Sequence, residues 1–532
     1  MGLATTRSIS LHGTVGHLID IQVDVSAGVV ATVLVGRPDS ALSESKDRCR
    51  MAVTNSRLEE RLEWPTSRRV TILLSPADLP KRGTHFDLGI AIAVLAASGQ
   101  APPPGPDTVF IGELTLTGGL RSIPGVLPMV MAAAGRGIRR VFVPEPQVAE
   151  AMLVPDIEVF GARSLRQVVC ILGGEEVPAD PPVAPLSGAR LLNWRGEERH
   201  LGLDLVDVQG LPDERFAVEV AAAGGHPLHL TGPRGSGKTT LAERICSILP
   251  DLTPEESLEL TAVHSLAGSL EPGAPLLRRP PFFAPHHSAS RASLLGGGSG
   301  RVRPGEISRA HCGVLFLDEF PFFSADLIEG LRQPLESGEV TISRGEETAT
   351  FPARGLVVLA SNPCPCGDYY PYAVADRCRC TAPERAAYRR KLSGPVSDRI
   401  DITRVLAPVS LADPAAAAFG EPESSARVRA RVERARARQA ERYDGCEWRL
   451  NAHAPGPELV RRWPLTDAAT RRLDEGVFGG LLSRRGATRV HRLAWTIADL
   501  WGVEVPDLVE LEVALCLRTG DPLPIRALAG AR

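Results

Sequence analysis

The sequence predicts an α/β protein centred on a parallel sheet, and three observations carry that expectation. The run Gly232-Pro233-Arg234-Gly235-Ser236-Gly237-Lys238-Thr239-Thr240 fits G-x-x-x-x-G-K-[ST] without a mismatch. It stands between a short apolar strand, Pro227 to Leu230, and a segment from Lys238 to Leu249 with Leu241, Ile245 and Leu249 on one helical face. Farther on, Gly313-Val314-Leu315-Phe316-Leu317-Asp318-Glu319 is an apolar run closed by two acids, the pattern of a central parallel strand buried on both faces.

With 532 residues the chain has room for roughly three or four domains of about 150 residues each. Hydrophobic content of 43% and charged content of 23% are those of a globular protein. A formal net charge of −3 excludes a global nucleic-acid footprint, so any DNA contact has to be local, as in a basic channel built by several subunits. The longest apolar stretch, around Leu88 to Ala97, falls short of the roughly 18 residues a membrane span requires. Arg7 is not followed by a continuous apolar core, so no secretory leader is expected either. Ten cysteines in so long a chain do not make a disulfide scaffold, and a reducing, cytoplasmic compartment is the expectation.

Taken in order, Ile19, Ile21, Val23 and Val25 alternate with Asp20, Gln22 and Asp24, which predicts a half-buried strand. Strands follow at Val29 to Val35, Val70 to Leu74, Val109 to Leu116 and Val141 to Val143, with helices at Ser40 to Thr54, Phe86 to Ala97 and Gly125 to Ala134. Residues 1–172 thus read as a mixed α/β domain. Residues 173–203 open with a proline-dense stretch of linker composition. Residues 204–412 hold the phosphate-binding loop and its sheet, and residues 413–532 a helical C-terminal part. Gly210-Leu211, ahead of a helix from Glu214 to Ala223, stands where P-loop domains commonly contact the adenine.

The chemistry of these motifs is phosphoryl transfer. Glycines let successive backbone N–H groups curl around phosphate oxygens, and the following helix N-terminus adds positive potential. Lys238 would reach the β and γ phosphates, Thr239 would ligate Mg²⁺, Asp318 would hold the same ion, and Glu319 would activate the attacking water. ATP and Mg²⁺ are the expected cofactors. Cys364-Pro365-Cys366-Gly367 and Cys378-Arg379-Cys380 place four thiols in two C-x-C pairs eleven residues apart, either a tetrahedral Zn²⁺ site or a tight metal-free loop. Paired His286 and His287, without carboxylate or cysteine neighbours in sequence, read as contact or hydrogen-bonding residues. Glycines and prolines around residues 295–305 exclude regular structure there. Val340 to Ser343 and Thr348 to Phe351 flank Arg344-Gly345-Glu346-Glu347 as a β-hairpin. The arginine-dense stretch Arg427 to Arg442 is read as a solvated helix face, with a face toward DNA as the other reading.

Leu79-Pro80-Lys81-Arg82-Gly83-Thr84-His85-Phe86-Asp87-Leu88, Gly112-Glu113-Leu114-Thr115-Leu116-Thr117-Gly118-Gly119-Leu120-Arg121 and Gly125-Val126-Leu127-Pro128 resemble the N-terminal domain of the ComM/YifB family of Mg-chelatase-like AAA+ ATPases. The resemblance covers nearly the whole chain, and it implies a Lon-protease-like fold for residues 1–172. A protease of that fold needs a Ser–Lys dyad. Here Thr84-His85-Phe86 and Val126-Leu127-Pro128 stand at the corresponding places, so no dyad is expected; Lys81 and His85 remain candidates for a contact surface, a structural or solvated role being the expectation.

For the rest of the chain the resemblance implies an AAA+ P-loop core with a C-terminal helical lid. Asn362 matches the family's sensor asparagine, which orients water near the γ-phosphate. Ser393-Gly394-Pro395-Val396-Ser397-Asp398-Arg399 resembles the arginine-finger segment, with Val396 and Ser397 where leucines are usual. Arg399 would then reach a neighbouring subunit's nucleotide; a plain surface Arg–Asp pair is the other reading. Leu481 to Ala494 resembles the lid, which makes Arg485 the sensor-2 choice and Arg489 the reserve. In the helicase-related branch the hairpin points into a ring's pore, so Arg344 is a DNA-contact candidate or a solvated arginine. The implied whole is a homo-hexameric ATPase acting on single-stranded or branched DNA as a helicase, promoting branch migration in recombination or natural transformation. The rivals are a chelatase-type motor that remodels a protein partner without DNA and, disfavoured by the missing dyad, an ATP-dependent protease.

Overall fold

A computed structural model of the chain describes residues 2–56, 62–186, 202–298, 302–344, 347–369, 378–392, 396–407 and 423–524. Its centre is a five-stranded parallel sheet in the spatial order Phe282–Phe283, Val314–Leu317, Leu356–Ser361, Leu228–Thr231, Ile402–Val405. All four residues of Val314–Leu317 and all six of Leu356–Ser361 are buried, as strands covered by helices on both faces should be. Parallel strands put every strand's carboxyl end on one edge of the sheet, where doubly wound folds bind ligands.

The first part of the chain forms an antiparallel and parallel four-stranded sheet, in the order Gly2–His12, Val15–Ser26, Arg69–Ser75, Ala31–Val35. A second, parallel sheet pairs Thr108–Phe110, Arg140–Pro144 and Glu158–Ala162. Ile19, Ile21, Val23 and Val25 are buried, as their alternation predicts. The helix Asp87–Ala97 is buried all round except Ala96, which fits its uniformly apolar sequence. The strand Gly2–His12, the strand Glu158–Ala162 and the helix Leu165–Gly173 are additions to the sequence reading. The first of them turns Thr6, Ser8 and Ser10 inward, and Thr6 Oγ1 donates to Gly89 O at 2.8 Å, so small polar residues hide its period.

The proline-dense stretch after Gly174 is extended in its described part but is tied to the preceding helix. Arg166 pairs with Asp180, and Gln167 Nε2 donates to Pro178 O at 2.7 Å. Its continuation, residues 187–201, lies outside the described residues.

The first domain rests on the sheet domain through shared apolar packing in which Ile9, Val126, Met129 and Val130 meet Ala262, Leu266, Leu315 and Phe351. Polar contacts reinforce the joint: Gly125 N–H donates to Ser265 O at 3.1 Å, and Ser265 Oγ donates to Glu150 Oε1 at 2.5 Å. Burial raises the Glu150 carboxyl above its ordinary range, opposed by the bonds from Ser265, Leu127 N–H and Gln147.

The C-terminal part is helical, with Ser425–Arg442, Asp467–Phe478, Arg484–Trp501 and Leu508–Thr519 as its main elements. Here the solvated-face reading of Arg427 to Arg442 needs correction. Arg431 forks onto Glu219 at 2.6 and 2.8 Å and onto Glu423 at 2.7 Å. Arg436 donates to Ala222 O at 2.7 Å, Arg442 pairs with the buried Asp499, and Arg429 reaches Asp251 at 2.7 Å. Only part of the stretch faces water, Arg427 among it. Glu219, Asp251 and Asp499, which neutralise three of these arginines, come from distant elements, which is why composition alone suggested solvation.

Candidate active site

The loop between Leu228–Thr231 and the helix Lys238–Glu243 curls as the motif requires. Gly235 and Gly237 adopt φ of +73° and +90°, and a Cβ at Gly232 would sit 2.6 Å from Ser236 Oγ. Lys238, buried at its helix's start, donates from Nζ to Gly232 O at 2.7 Å and Pro233 O at 2.9 Å. Burial lowers its ammonium's pKa, and the Asp318 charge opposes that shift. Thr239 Oγ1 donates to Asp318 Oδ2 at 3.2 Å, so a hydroxyl and a carboxylate from two elements already meet. Ser236 Oγ is buried with no hydrogen-bond partner among the described residues.

Asp318 and Glu319 leave the carboxyl end of Val314–Leu317, and Asn362 leaves that of Leu356–Ser361. Asn362 Oδ1 lies 3.4 Å from Lys238 Nζ. Glu319 is left-handed at φ +50°, its N–H donates to Asp318 Oδ1 at 2.8 Å, and its carboxylate is exposed. The residues present therefore fit a triphosphate with a divalent cation: a backbone cradle, one ammonium, a hydroxyl–carboxylate pair and an exposed acid. Leu211, itself left-handed at φ +53°, approaches Gly237, its Cδ1 standing 3.4 Å from where a Cβ would be.

The four cysteines converge. One sulfur from each of Cys364, Cys366, Cys378 and Cys380 lies within 4.8 Å of the others, with pairs at 3.3 and 3.7 Å. A tetrahedral thiolate site with Zn–S bonds of about 2.3 Å has edges of about 3.8 Å, so the set fits Zn²⁺. Backbone N–H of Asp368 and Arg379 hold Cys366 down to about 6, while burial pushes Cys364 up to about 12. The cluster adjoins the nucleotide loop: Arg234 N–H donates to Gly367 O at 3.3 Å, and a side chain at Gly367 would meet Arg234 at 3.0 Å. Arg385 Nη1 donates to Cys380 O at 2.8 Å. The same helix, Ala382–Leu392, carries Tyr388, pushed up to about 12 by burial and by the nearby Cys364 and Glu319 charges.

Two partners were hidden in the sequence. His287 does have a carboxylate neighbour, because its Nδ1 lies 3.3 Å from Glu319 Oε2; strand order, not spacing, brings them together. The segment 295–305 also departs from expectation, since Gly296–Gly297 pairs antiparallel with Arg303–Pro304. Arg344 ends the strand Glu339–Arg344 of the hairpin and is exposed, paired in register with Glu347; Gly345 and Glu346 lie outside the described residues.

Arg399 is not brought to this site. It precedes Ile402–Val405, at the amino edge of the sheet, and is ion-paired with Glu336. Ser393, Gly394 and Pro395 of its segment lie outside the described residues. The neighbouring Asp401 is buried, accepts from His226 Nδ1 at 2.7 Å and pairs with Arg489 of the lid helix. Burial alone would raise Asp401, but the His226 bond and the Arg489 charge hold it far below the usual carboxylate range. His226 Nε2 also meets Thr496 Oγ1 at 2.7 Å, so Arg484–Trp501 is anchored at the amino edge. Arg485, exposed one turn before Arg489, is about 16 Å along the axis from Thr496 at 1.5 Å per residue.

In the first domain, Lys81 is fully buried and donates to Pro76 O, and His85 Nε2 meets Ile9 O at 2.7 Å, so both are interior, not surface contacts. Thr84 Oγ1 donates to Glu113.

Fold and site together define a P-loop ATPase with a Mg-chelatase-like core. Residues 204–413 match the family described as magnesium chelatase, subunit ChlI; residues 21–147 match subunit ChlI of Mg-chelatase, and residues 422–518 its C-terminal family. An uncharacterised Mycobacterium tuberculosis protein is 44% identical over 97% of this chain and 99% of its own. Competence protein ComM of Haemophilus influenzae is 38% identical over 94% of each chain, and the uncharacterised protein YifB of Escherichia coli 37% identical over 99% of each. The chain belongs to the ComM/YifB family of Mg-chelatase-like ATPases. Among the described residues no helix is long and apolar enough to cross a membrane.

Proposed function

We propose that the protein is a Mg²⁺-dependent, ring-forming ATPase, hexameric when bound to nucleotide, that drives movement on single-stranded or branched DNA and promotes branch migration. The observation that carries the reading is the separation of Arg399 from the phosphate-binding loop. Lys238, Thr239, Asp318, Glu319 and Asn362 gather at the carboxyl edge of the sheet, whereas Arg399 stands at the amino edge of the same sheet. A nucleotide site lacking its arginine on one chain is completed by a second copy.

In this reading, Gly232 to Thr240 wrap the phosphates and Lys238 exchanges its two carbonyl partners for β and γ oxygens. Thr239 and Asp318 would hold Mg²⁺, which neutralises phosphate charge when bound. Glu319 takes the proton of the attacking water, which Asn362 orients. Arg399 of the neighbouring copy stabilises the developing charge, and Arg485, as the sensor-2 arginine, couples nucleotide to closure of the helical lid. The chain divides as 1–172, 173–203, 204–412 and 413–532. Cys364, Cys366, Cys378 and Cys380 would hold Zn²⁺, which when bound would brace the loop that carries Gly367 against Arg234. DNA as the substrate is supported by the exposed Arg344 on the hairpin and by the name of the Haemophilus relative, a competence protein.

The test is the ATPase rate with and without forked DNA, beside a mass measurement in ATP. A rate that rises with DNA and a six-chain particle are expected. A six-chain ATPase indifferent to every DNA form would instead be a motor acting on a protein partner.

A further inference from the structure

A hairpin of two strands is marginally stable by itself in water, so Glu339–Arg344 and Glu347–Pro352 need support on one face. Val340, Ala349 and Phe351 supply that face and are buried, while Thr341, Ser343, Thr348 and Thr350 are exposed on the other. The buried face belongs to the same apolar packing as Ile9 and Leu11, at the end of the first domain's opening strand. That strand turns back through Gly13 and Thr14, with His12 opposite Val15. Gly13 has φ of +61°, and a Cβ there would stand 2.5 Å from Thr350 O and 3.2 Å from Thr350 N. The turn and the backbone-on-backbone approach each call for glycine. The turn is braced by its own domain: a Cβ at Gly16 would lie 2.4 Å from Ala132 Cβ on the helix Val126–Ala134, and His12 Nε2 meets Pro80 O at 3.2 Å. On the hairpin's other strand Gln333 grips Thr341, Nε2 donating to Thr341 Oγ1 at 3.1 Å and Oε1 accepting from Thr341 N–H at 3.3 Å. Thr341 and Thr350 are opposite in register with hydroxyls 3.1 Å apart, so both grips fall on one rung. Arg344 lies three residues beyond it, about 10 Å at roughly 3.4 Å per residue.

We propose that the first domain is the abutment of this hairpin, and that Gly13 is a positioning residue acting through the Thr350 backbone on Arg344. The turn at Gly13 fixes the Thr341–Thr350 rung, so Arg344 meets a single-stranded nucleic acid from a set position instead of from a swinging tip. An arginine placed in advance saves the ordering cost of binding, and a rung held from both sides lets force on the tip pass into the first domain. The contact is made by backbone atoms and a hydrogen in place of a side chain, so it works as a hard stop: any added carbon at residue 13 pushes the rung away.

The inference rests on the reading of Arg344 as a DNA contact. Asparagine tolerates the left-handed conformation, so Gly13→Asn sets a side chain against Thr350 at little backbone cost. Gly137→Asn is the control, since Gly137 has φ of +77° in the same domain with nothing within 4 Å of an added Cβ. On the full chain, hydrogen–deuterium exchange of residues 339–352 and affinity for a fluorescent single-stranded oligonucleotide are measured, with DNA-free kcat and KM for ATP as the check on folding. Gly13→Asn should speed exchange across 339–352 and weaken oligonucleotide binding about three- to ten-fold, the scale of a lost pre-organised contact, with DNA-free kcat and KM unchanged. Gly137→Asn should match the wild type throughout. Added to Arg344→Ala, Gly13→Asn should weaken binding no further than Arg344→Ala alone. Gly13→Ala, with one added carbon, repeats the comparison if Gly13→Asn fails to fold. Wild-type exchange in the Gly13 variants, equal acceleration in Gly137→Asn, or losses that add to that of Arg344→Ala would overturn the abutment. Wild-type oligonucleotide affinity in Arg344→Ala, with exchange still faster in Gly13→Asn, keeps the abutment and overturns DNA as what the hairpin meets.

Discussion

The nucleotide edge of the sheet and the polar interior of the first domain hold similar chemistry, and they use it in opposite ways. In the first domain Arg48 binds Asp87 through two contacts at 2.8 and 3.1 Å, Lys81 spends its ammonium on Pro76 O, His85 on Ile9 O, and Thr84 on Glu113. Asp87 is fully buried; burial raises its pKa, and Arg48 and Ser45 oppose the rise. At the nucleotide edge Glu319 is exposed, Ser236 Oγ has no partner among the described residues, and Lys238 rests on two carbonyls it can exchange. Groups consumed by their own fold hold a scaffold, whereas groups left open at an accessible edge await a ligand.

The largest effect that would break this contrast is at Glu319. Glu319→Gln should lower kcat by about 10² to 10⁴, the range of a lost general base, while ATP still binds. Brisk turnover by that variant would place the acid elsewhere. In the first domain the effect should fall on stability instead. Arg48→Ala strands the buried Asp87 and should cost about 3–5 kcal/mol in denaturant unfolding, with kcat per folded molecule unchanged. A stable Arg48→Ala protein with impaired hydrolysis would erase the distinction.

A smaller effect sharpens the joint between the two regions. His264, on the helix that meets the first domain, is buried with Nε2 3.0 Å from Arg309 O, and burial lowers its pKa from 6.5 to about 4. A histidine kept neutral in the fold binds protons more readily once unfolded, so stability is present above pH 6.5 and declines as pH falls toward 4. Between pH 7 and 5 the wild type should lose roughly 2 kcal/mol more than His264→Gln. Equal losses would show that His264 does not titrate there.

The smallest concerns the cysteines. Protein purified without chelator should carry about one zinc per chain. Cys378→Ser should lose the metal and weaken ATP binding several-fold through Gly367 and Arg234, measured as an affinity and not only as a rate. A stable, metal-free wild type would remove zinc from the account.

What the sequence disclosed was whatever is contiguous. The phosphate-binding loop, the strand ending in Asp318 and Glu319, the hairpin and the two C-x-C pairs are each local patterns, and the parallel sheet followed from them. What it hid depends on which strands lie side by side and which distant acids meet which bases. His287 beside Glu319 needs strand order; the pairing of Arg431 with Glu219 needs the packing of two helices over two hundred positions apart. Arg485 and Arg489 are equivalent on a helical wheel, and only the Asp401 contact separates them. The strand Gly2–His12 was invisible because Thr6, Ser8 and Ser10 occupy its core-facing positions.

The central claim is that one chain carries half a nucleotide site. Mixing Lys238→Ala chains, which keep Arg399, with Arg399→Ala chains, which keep the phosphate-binding loop, tests it directly. Each variant alone should be nearly inactive, and the mixture should recover ATP hydrolysis at the interfaces where an intact loop faces an intact arginine. A mixture no more active than its two components summed would contradict a site shared between neighbours.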